Sequence, residues 1–569
     1  MSRSNSWTPH SYPIQSLQVK PPDGIVIAEE SFEKLLPETI RACKDAHSPI
    51  SKGRTLIVCL DGTGDKFDND NSNVIHLVSC LKKDDLSQVT YYQAGIGTYN
   101  GSGLATGISA AFDMAIGSGL GTHVRDAYRF LMQNYCEGDK ICLFGFSRGA
   151  YTARCLAGML HKVGLLPAHN YAQIPFAYQC YKDDSPEGWK MSEEFKRTFS
   201  MDASAYFVGV WDCVASVGLI PRKLPFSSTP TSRTGHFRHA MALDEHRAKF
   251  KVCPWVKRDR KPRPADERTA TIPEPERTAQ TSRALRGLRS TFSTEQSNGL
   301  ASKASYRTST SPEPVKNGKN DKIGKTDSGY EERVALNRGG TGTDVLEVWF
   351  LGCHADVGGG AVANEERHML SRIPLRWMIR QCFECDTGIL FRTAALADKG
   401  LDVYKLWPIY NSSQKPVVGP SPMTMERYES GRLAPISSRS TTLRTAISKD
   451  GENDNTRFSD DEEASSATVP TTVWLPEQFE DYFDAMAPIN DMLTKAKGWW
   501  ILELWPIKVR VQKKNVSNWE KKVSFNLGRY RAVQDLEPNL HWTVRQRIHD
   551  KRYKIRTRVD RNALWRVVV

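Results

Sequence analysis

The 569-residue chain lacks long hydrophobic runs: its longest apolar stretch, residues 499–507, is broken by Glu503 and Pro506, far short of the roughly 18 residues of a membrane span. Its N-terminus, MSRSNSWTPHSYPIQ, has no apolar segment of the kind a secretory signal needs. Both absences predict an intracellular, cytoplasmic protein with no signal peptide and no transmembrane helix. Regular cysteine spacing is missing too. Of the twelve cysteines, Cys59, Cys142, Cys213 and Cys353 sit inside apolar runs, as small buried hydrophobes do in a reducing compartment, which argues against a disulfide framework. The lone pair Cys382 and Cys385 has no second ligand pair, so neither a metal nor another cofactor is expected. No nucleic-acid motif accompanies the formal net charge of +13. The excess gathers in 247–263, 283–307 and 551–566, which read as solvated linkers and tail, or as a surface that meets anionic membrane; nucleic acid is not an expected partner.

What is present is enough apolar material, 39% of residues, for a sizeable core with extra chain attached. Residues 55–60, TLIVCL, form a continuous apolar run ending at Asp61-Gly62-Thr63-Gly64, the pattern of a buried parallel strand feeding a tight turn. Runs of the same kind recur at 140–144, 205–211 and 345–351, and 88–93 reads as a further strand. Between them, 74–81, 122–135 and 148–160 repeat apolar residues at helical spacing. Strands alternating with helices predict an α/β fold, a mostly parallel sheet with flanking helices. The glycines at 117, 119 and 121 follow no good strand, so they serve close helix packing and not dinucleotide binding.

The expected organisation is a lead-in, 1–53, with one short helix near 31–44; a catalytic core of 54–255 plus 344–385; an insertion, 256–343; and a C-terminal region, 386–569, with a loop at about 428–470. The insertion and that loop are rich in charged and small polar residues and too poor in apolar ones to offset their ordering entropy, so both are expected to be disordered.

A serine hydroxyl is a weak nucleophile that needs a neighbouring base and a backbone turn that lifts it clear. Gly145-Phe146-Ser147-Arg148-Gly149 supplies the turn between an apolar strand and a helix, and Ala150 and Ala153 let that helix lie near the sheet. In open α/β sheets the site lies at the carboxyl ends of strands. Asp212 ends the strand that begins at Ala205, and His354 follows the strand ending at Leu351, giving the order Ser147, Asp212, His354. His236, His239 and His246 fall in a stretch that reads as helix, with His239 the alternative base; Asp356 is an alternative acid better placed to fix the loop of His354. Two donors must hold the tetrahedral oxyanion: the amide of Arg148 and one from the turn at Gly62 or Thr63. Asp61 either holds that turn or binds substrate.

The segments LDGTGD (60–65), GDKICLFGFSRGAYTARCLAG (138–158), GVWDCVASVG (209–218), HAMALDEHR (239–247) and HADVGGG (354–360), in this order, resemble the α/β-hydrolase family typified by type VI secretion phospholipase effectors. The resemblance covers about 54–254 and 344–380. It implies a triad of Ser147, Asp212 and His354 and hydrolysis of an ester, with phospholipid the substrate class of the studied bacterial members. A lipid or other ester is therefore the expected substrate, and Trp499, Trp500 and Trp505 suit transient contact with an anionic membrane. The long insertion and the C-terminal region depart from the family.

Two rival readings stand beside this one. Asp61 after an apolar strand superficially resembles an aspartyl-phosphate loop, but the second Asp of such loops is Thr63 here. The other is a catalytically inactive hydrolase fold retained as a binding or scaffold protein, with the insertion as its interaction arm. The sequence carries no sign of an oligomeric state.

Overall fold

The computed structural model describes residues 35–48, 53–95, 108–214, 224, 234–255, 342–440, 443, 475–512, 519–550 and 553–569. Almost all of the expected insertion, most of the lead-in, and 441–442 and 444–470 of the expected loop lie outside the described residues. In chain order the strands are β1 (Thr39–Arg41), β2 (Thr55–Leu60), β3 (Gln88–Gln93), β4 (Lys140–Phe146), β5 (Ala205–Trp211), β6 (His236–Ala242), β7 (Asp344–Phe350), β8 (Leu390–Arg392), β9 (Ile507–Gln512), β10 (Trp519–Ser524), β11 (Ala532–Val533), β12 (Asn539–His541), β13 (Arg558–Val559) and β14 (Arg566–Val568). Eight of them form one sheet in the order β3-β2-β4-β5-β6-β7-β12-β14, and every neighbouring pair is parallel.

Strand periodicity divides the core between the two faces of this sheet. Ile57, Cys59, Cys142, Phe144 and Phe207 pack on one face with α1 (Asn73–Cys80) and the helix Arg372–Glu384. Leu56, Val58, Leu60, Ile141, Leu143 and Val208 pack on the other, against α2 (Ile108–Asn134) and α3 (Ser147–Val163). A central strand covered on both faces loses polar alternation, which is why β2 and β4 read as unbroken apolar runs. Gly121 faces Tyr178, whose hydroxyl would lie 3.0 Å from a Cβ there, so this glycine does serve close helix packing.

Three expectations are corrected. The stretch containing His236 and His239 is not a helix but strand β6, hydrogen-bonded between β5 and β7. Burial of both faces hid its strand character, and the spacing of its histidines imitated a helical one. The short helix expected near 31–44 is absent from its described part, where β1 pairs antiparallel with β8. Finally, the expected loop from about 428 begins inside an α-helix, Pro422–Glu429, which is followed by a 3-10 turn, Ile436–Ser438.

The C-terminal region is part of the same sheet. β12 pairs with β7 and β14 with β12, and Leu540, Val544 and Val533 join the core. No helix among the described residues is long and apolar enough to cross a membrane.

Candidate active site

Strand order reverses beside β2, which lies between β3 and β4, and this is where an open parallel sheet leaves a crevice at its carboxyl ends. β4 ends there at Phe146, and Ser147 opens α3 with φ of +56°, a left-handed conformation unusual for a non-glycine residue. Two glycines permit it. A Cβ on Gly145 would lie 2.6 Å from the main chain of Gly149, and one on Gly149 would lie 2.2 Å from the Leu60 carbonyl oxygen. The elbow therefore works only where strand, turn and helix touch backbone to backbone.

Asp212 follows β5, also at positive φ (+39°), and is wholly buried. His354 begins the short helix His354–Gly358 after β7. Its Nε2 lies 2.8 Å from Ser147 Oγ and its Nδ1 2.5 Å from Asp212 Oδ2. An ionised carboxylate can only accept, so Nδ1 carries the proton and Nε2 is left to accept from the serine. The arrangement can move a proton from hydroxyl to imidazole. Phe146 lies against the ring at 4.7 Å and Phe250 meets it edge-on at 4.8 Å. Burial pushes the His354 pKa below its ordinary value, and the Asp212 charge opposes that shift. Burial alone would raise the Asp212 carboxyl, but Arg531 and His354 reverse this and hold it well below the usual carboxylate range.

Several side chains brace this group. Glu245, kept low against its burial by Arg247, accepts from the His354 amide at 3.2 Å and from Arg247 Nη2 at 2.8 Å. Asp356 accepts from the amide of Cys353 and from both nitrogens of Asn490. It thus fixes the loop of His354 and is not bonded to the ring; burial pushes its pKa up to about 6. Asp61 Oδ1 accepts from Ser72 Oγ at 2.6 Å and from the Gly62 amide at 2.8 Å, and Oδ2 accepts from the Tyr92 hydroxyl at 2.9 Å. Of its two expected roles the turn-holding one is visible, and it occupies the Gly62 amide that was a candidate oxyanion donor. Thr63 stays in the turn, with its Oγ1 buried and without a hydrogen-bond partner among the described residues. Arg148 directly follows the serine and is buried, with its pKa lowered to about 10 by burial against a weaker opposing effect of Asp65.

His239, the alternative base, is engaged elsewhere. Its Nε2 accepts the Cys213 amide at 3.1 Å and its Nδ1 faces Glu347 Oε1 at 2.9 Å. Cys382 is core. Cys385, His236 and Asp344 could bring ligand atoms within 4.8 Å of one another. However, Arg238 Nη2 lies 2.6 Å from Asp344 and 3.0 Å from Cys385 Sγ, so a guanidinium already supplies the positive charge there.

Residues 54–381 match the family described as "T6SS, Phospholipase effector Tle1-like, catalytic domain". The chain belongs to this Tle1-like phospholipase effector family. Membership supports a hydrolase activity in general terms. A relative in Saccharomyces cerevisiae, the uncharacterized protein YEL023C, is 28% identical over 573 aligned positions, covering 89% of this chain and 80% of its own. Among solved structures, an uncharacterized protein from Pseudomonas aeruginosa shares 15% identity at a TM-score of 0.26, covering 60% of this chain and 47% of its own. A Tle1 effector bound to the VgrG spike of a type 6 secretion system shares 18% at 0.20, covering 36% and 48%. The chain thus spans about half the length of these two solved proteins.

The Tle1-like match holds Ser147, Asp212 and His354 but ends before Asn490 and Arg531, which the structure brings to the same site, and before Glu503, which holds the chain near Ala248. Glu503 Oε1 accepts the Ala248 amide at 2.5 Å, and its Oε2 accepts from Asn526 and Gly528. Sequence reading missed these residues because each stands alone in a basic, irregular region; the one available signal was that a buried Asp212 needs a cation.

Proposed function

We propose that this chain is a serine hydrolase that cleaves carboxylic esters of lipids, phospholipids foremost, through an acyl-Ser147 intermediate. The observation that carries this reading is the hydrogen-bonded chain from Ser147 Oγ through His354 to Asp212, at the end of an elbow whose serine sits at φ of +56°. His354 Nε2 takes the serine proton as Oγ attacks the ester carbonyl. Asp212 steadies the imidazolium, and the protonated Nε2 then delivers its proton to the leaving alcohol. Water repeats the sequence on the acyl-enzyme and frees the acid. The oxyanion falls to the Arg148 amide and, since the Gly62 amide is bound to Asp61, to Thr63. The family description, phospholipase effector, supports phospholipid as the substrate class.

The decisive experiment labels the purified full chain with a fluorophosphonate probe and follows hydrolysis of a short-chain aryl ester. Ser147→Ala is expected to abolish both. Labelling that survives the substitution would overturn the assignment, and a wild type that neither labels nor turns over would favour a binding protein.

The partner we assign to the exposed residues of 495–508 and 521–527 is an anionic lipid bilayer. Trp500, Ile501, Leu504, Trp505, Phe525 and Leu527 are exposed, and exposed Lys495, Lys497, Lys508, Lys521 and Lys522 stand among them in sequence, the combination that favours an interface of anionic headgroups. Trp499 is buried instead, edge-on to Phe250 at 5.4 Å, so it ties this segment to the ring that covers His354. Sedimentation with phosphatidylcholine vesicles containing phosphatidylserine should carry the protein down, and Trp500→Ser/Trp505→Ser should reduce this. Equal sedimentation of wild type and double variant would refute the surface.

A further inference from the structure

The carboxylate of Asp212 is shared between His354 and a residue about 320 positions away in sequence. Arg531 Nη1 donates to Asp212 Oδ1 at 2.6 Å and Nη2 to Oδ2 at 2.8 Å. Its remaining donors go to main-chain oxygens: Nη1 to Ala242 at 3.0 Å, and Nε and Nη2 to Phe250 at 3.0 and 2.5 Å. All five guanidinium protons are thereby used. Both charged groups are buried, and Asp212 Oδ1 also accepts the Ala242 amide at 2.9 Å. A planar fork against a planar carboxylate sets orientation as well as charge, which an ammonium could not do.

Resting on the proposed triad, we propose that Arg531 is a positioning residue. It keeps Asp212 ionised in a site whose burial alone would protonate it, and it turns the carboxylate so that Oδ2 faces His354 Nδ1. It also grips Phe250 through that residue's carbonyl, and the Phe250 ring covers the imidazole. Arg531 lies some 150 residues beyond the family match, so the C-terminal region completes the active site as well as the sheet.

The charge has a second effect. A cation bound to both oxygens of Asp212 draws negative potential away from His354 and disfavours the imidazolium. Without it the Asp212–His354 pair binds a proton more readily, whichever residue takes it. The acidic limb of kcat/KM therefore moves to higher pH.

The test uses the full chain with Arg531→Lys, which keeps the charge, and Arg531→Gln, which keeps donors but not charge. Wild-type labelling by the fluorophosphonate and its loss in Ser147→Ala are read first; failure there sinks the triad and this inference with it. With labelling intact, Arg531→Gln is expected to lower kcat by about tenfold or more, with KM within a few fold. Its acidic limb should rise by about one pH unit. Arg531→Lys should keep the wild-type limb at a reduced kcat. Guanidinium ion at millimolar concentration should restore part of the kcat lost by Arg531→Gly and none of that lost by Asp212→Asn. Arg531→Gln with the wild-type acidic limb, or a kcat loss no larger than its loss of folded fraction by circular dichroism, would overturn the proposal. If the Gln and Gly variants fail to fold, Arg531→Lys decides: a limb displaced upward despite the retained charge refutes it.

Discussion

Gly149→Ala tests the elbow by moving backbone while Ser147, His354 and Asp212 all keep their side chains. The added Cβ would stand 2.2 Å from the Leu60 carbonyl oxygen and 2.4 Å from that of Asp61. Neither is the end of a flexible side chain, and an ordinary contact begins near 3.4 Å. Helix α3 and the exit of β2 must therefore part by roughly 1 Å, at a cost of about 1–3 kcal/mol. The start of α3 carries Ser147, and a displacement of that size in a reacting group costs about a hundredfold in rate. Gly138→Ala is the control. Gly138 has φ of +93° and nothing within 4 Å of its Cβ position, so alanine there introduces left-handed strain of about 1–2 kcal/mol without crowding. The assay pairs thermal melting with the rate of fluorophosphonate labelling. Both variants should melt earlier, while labelling slows about a hundredfold in Gly149→Ala alone. A Gly149→Ala protein that labels at the wild-type rate, or two variants that slow equally, would refute the reasoning.

Three more outcomes are expected. Because burial lowers the His354 pKa and the base must be neutral to accept the serine proton, kcat/KM should stay high as pH falls past the ordinary imidazole value of about 6.5, and drop only below it; a midpoint above 7 contradicts this. His239→Gln should lower the melting temperature, since the Cys213 amide and Glu347 lose a partner, yet label with fluorophosphonate at close to the wild-type rate. Abolished labelling in a folded variant would return His239 to the list of bases. Trp499→Ala removes the ring stacked edge-on to Phe250, so it should destabilise by about 3–5 kcal/mol as large core truncations do and slow labelling, whereas Trp500→Ala, at an exposed ring, should leave the soluble-ester rate unchanged.

The strands that carry the site were legible because central parallel strands must be apolar on both faces, and β2, β4, β5 and β7 all read that way. Ser147, Asp212 and His354 are legible as strand-end residues, since a crevice at the carboxyl edge leaves few positions for such side chains. β6 was misread for the same physical reason that made the others clear: continuous burial erases alternation, and length and histidine spacing then point to a helix. The Gly62 amide was a reasonable oxyanion donor from the turn sequence, but nothing local announced that Asp61 would fold back to bind it.

Local chemistry therefore settled where a nucleophile could be displayed, because an elbow is five residues of backbone geometry and its glycines are written in order. What surrounds the acid was decided only in three dimensions. Arg531 reaches Asp212 because β12 and β14 extend the sheet and return the C-terminal region to the ends of β5 and β6. A buried carboxylate demands a cation, but sequence spacing does not say which of 78 lysines and arginines will be delivered to it.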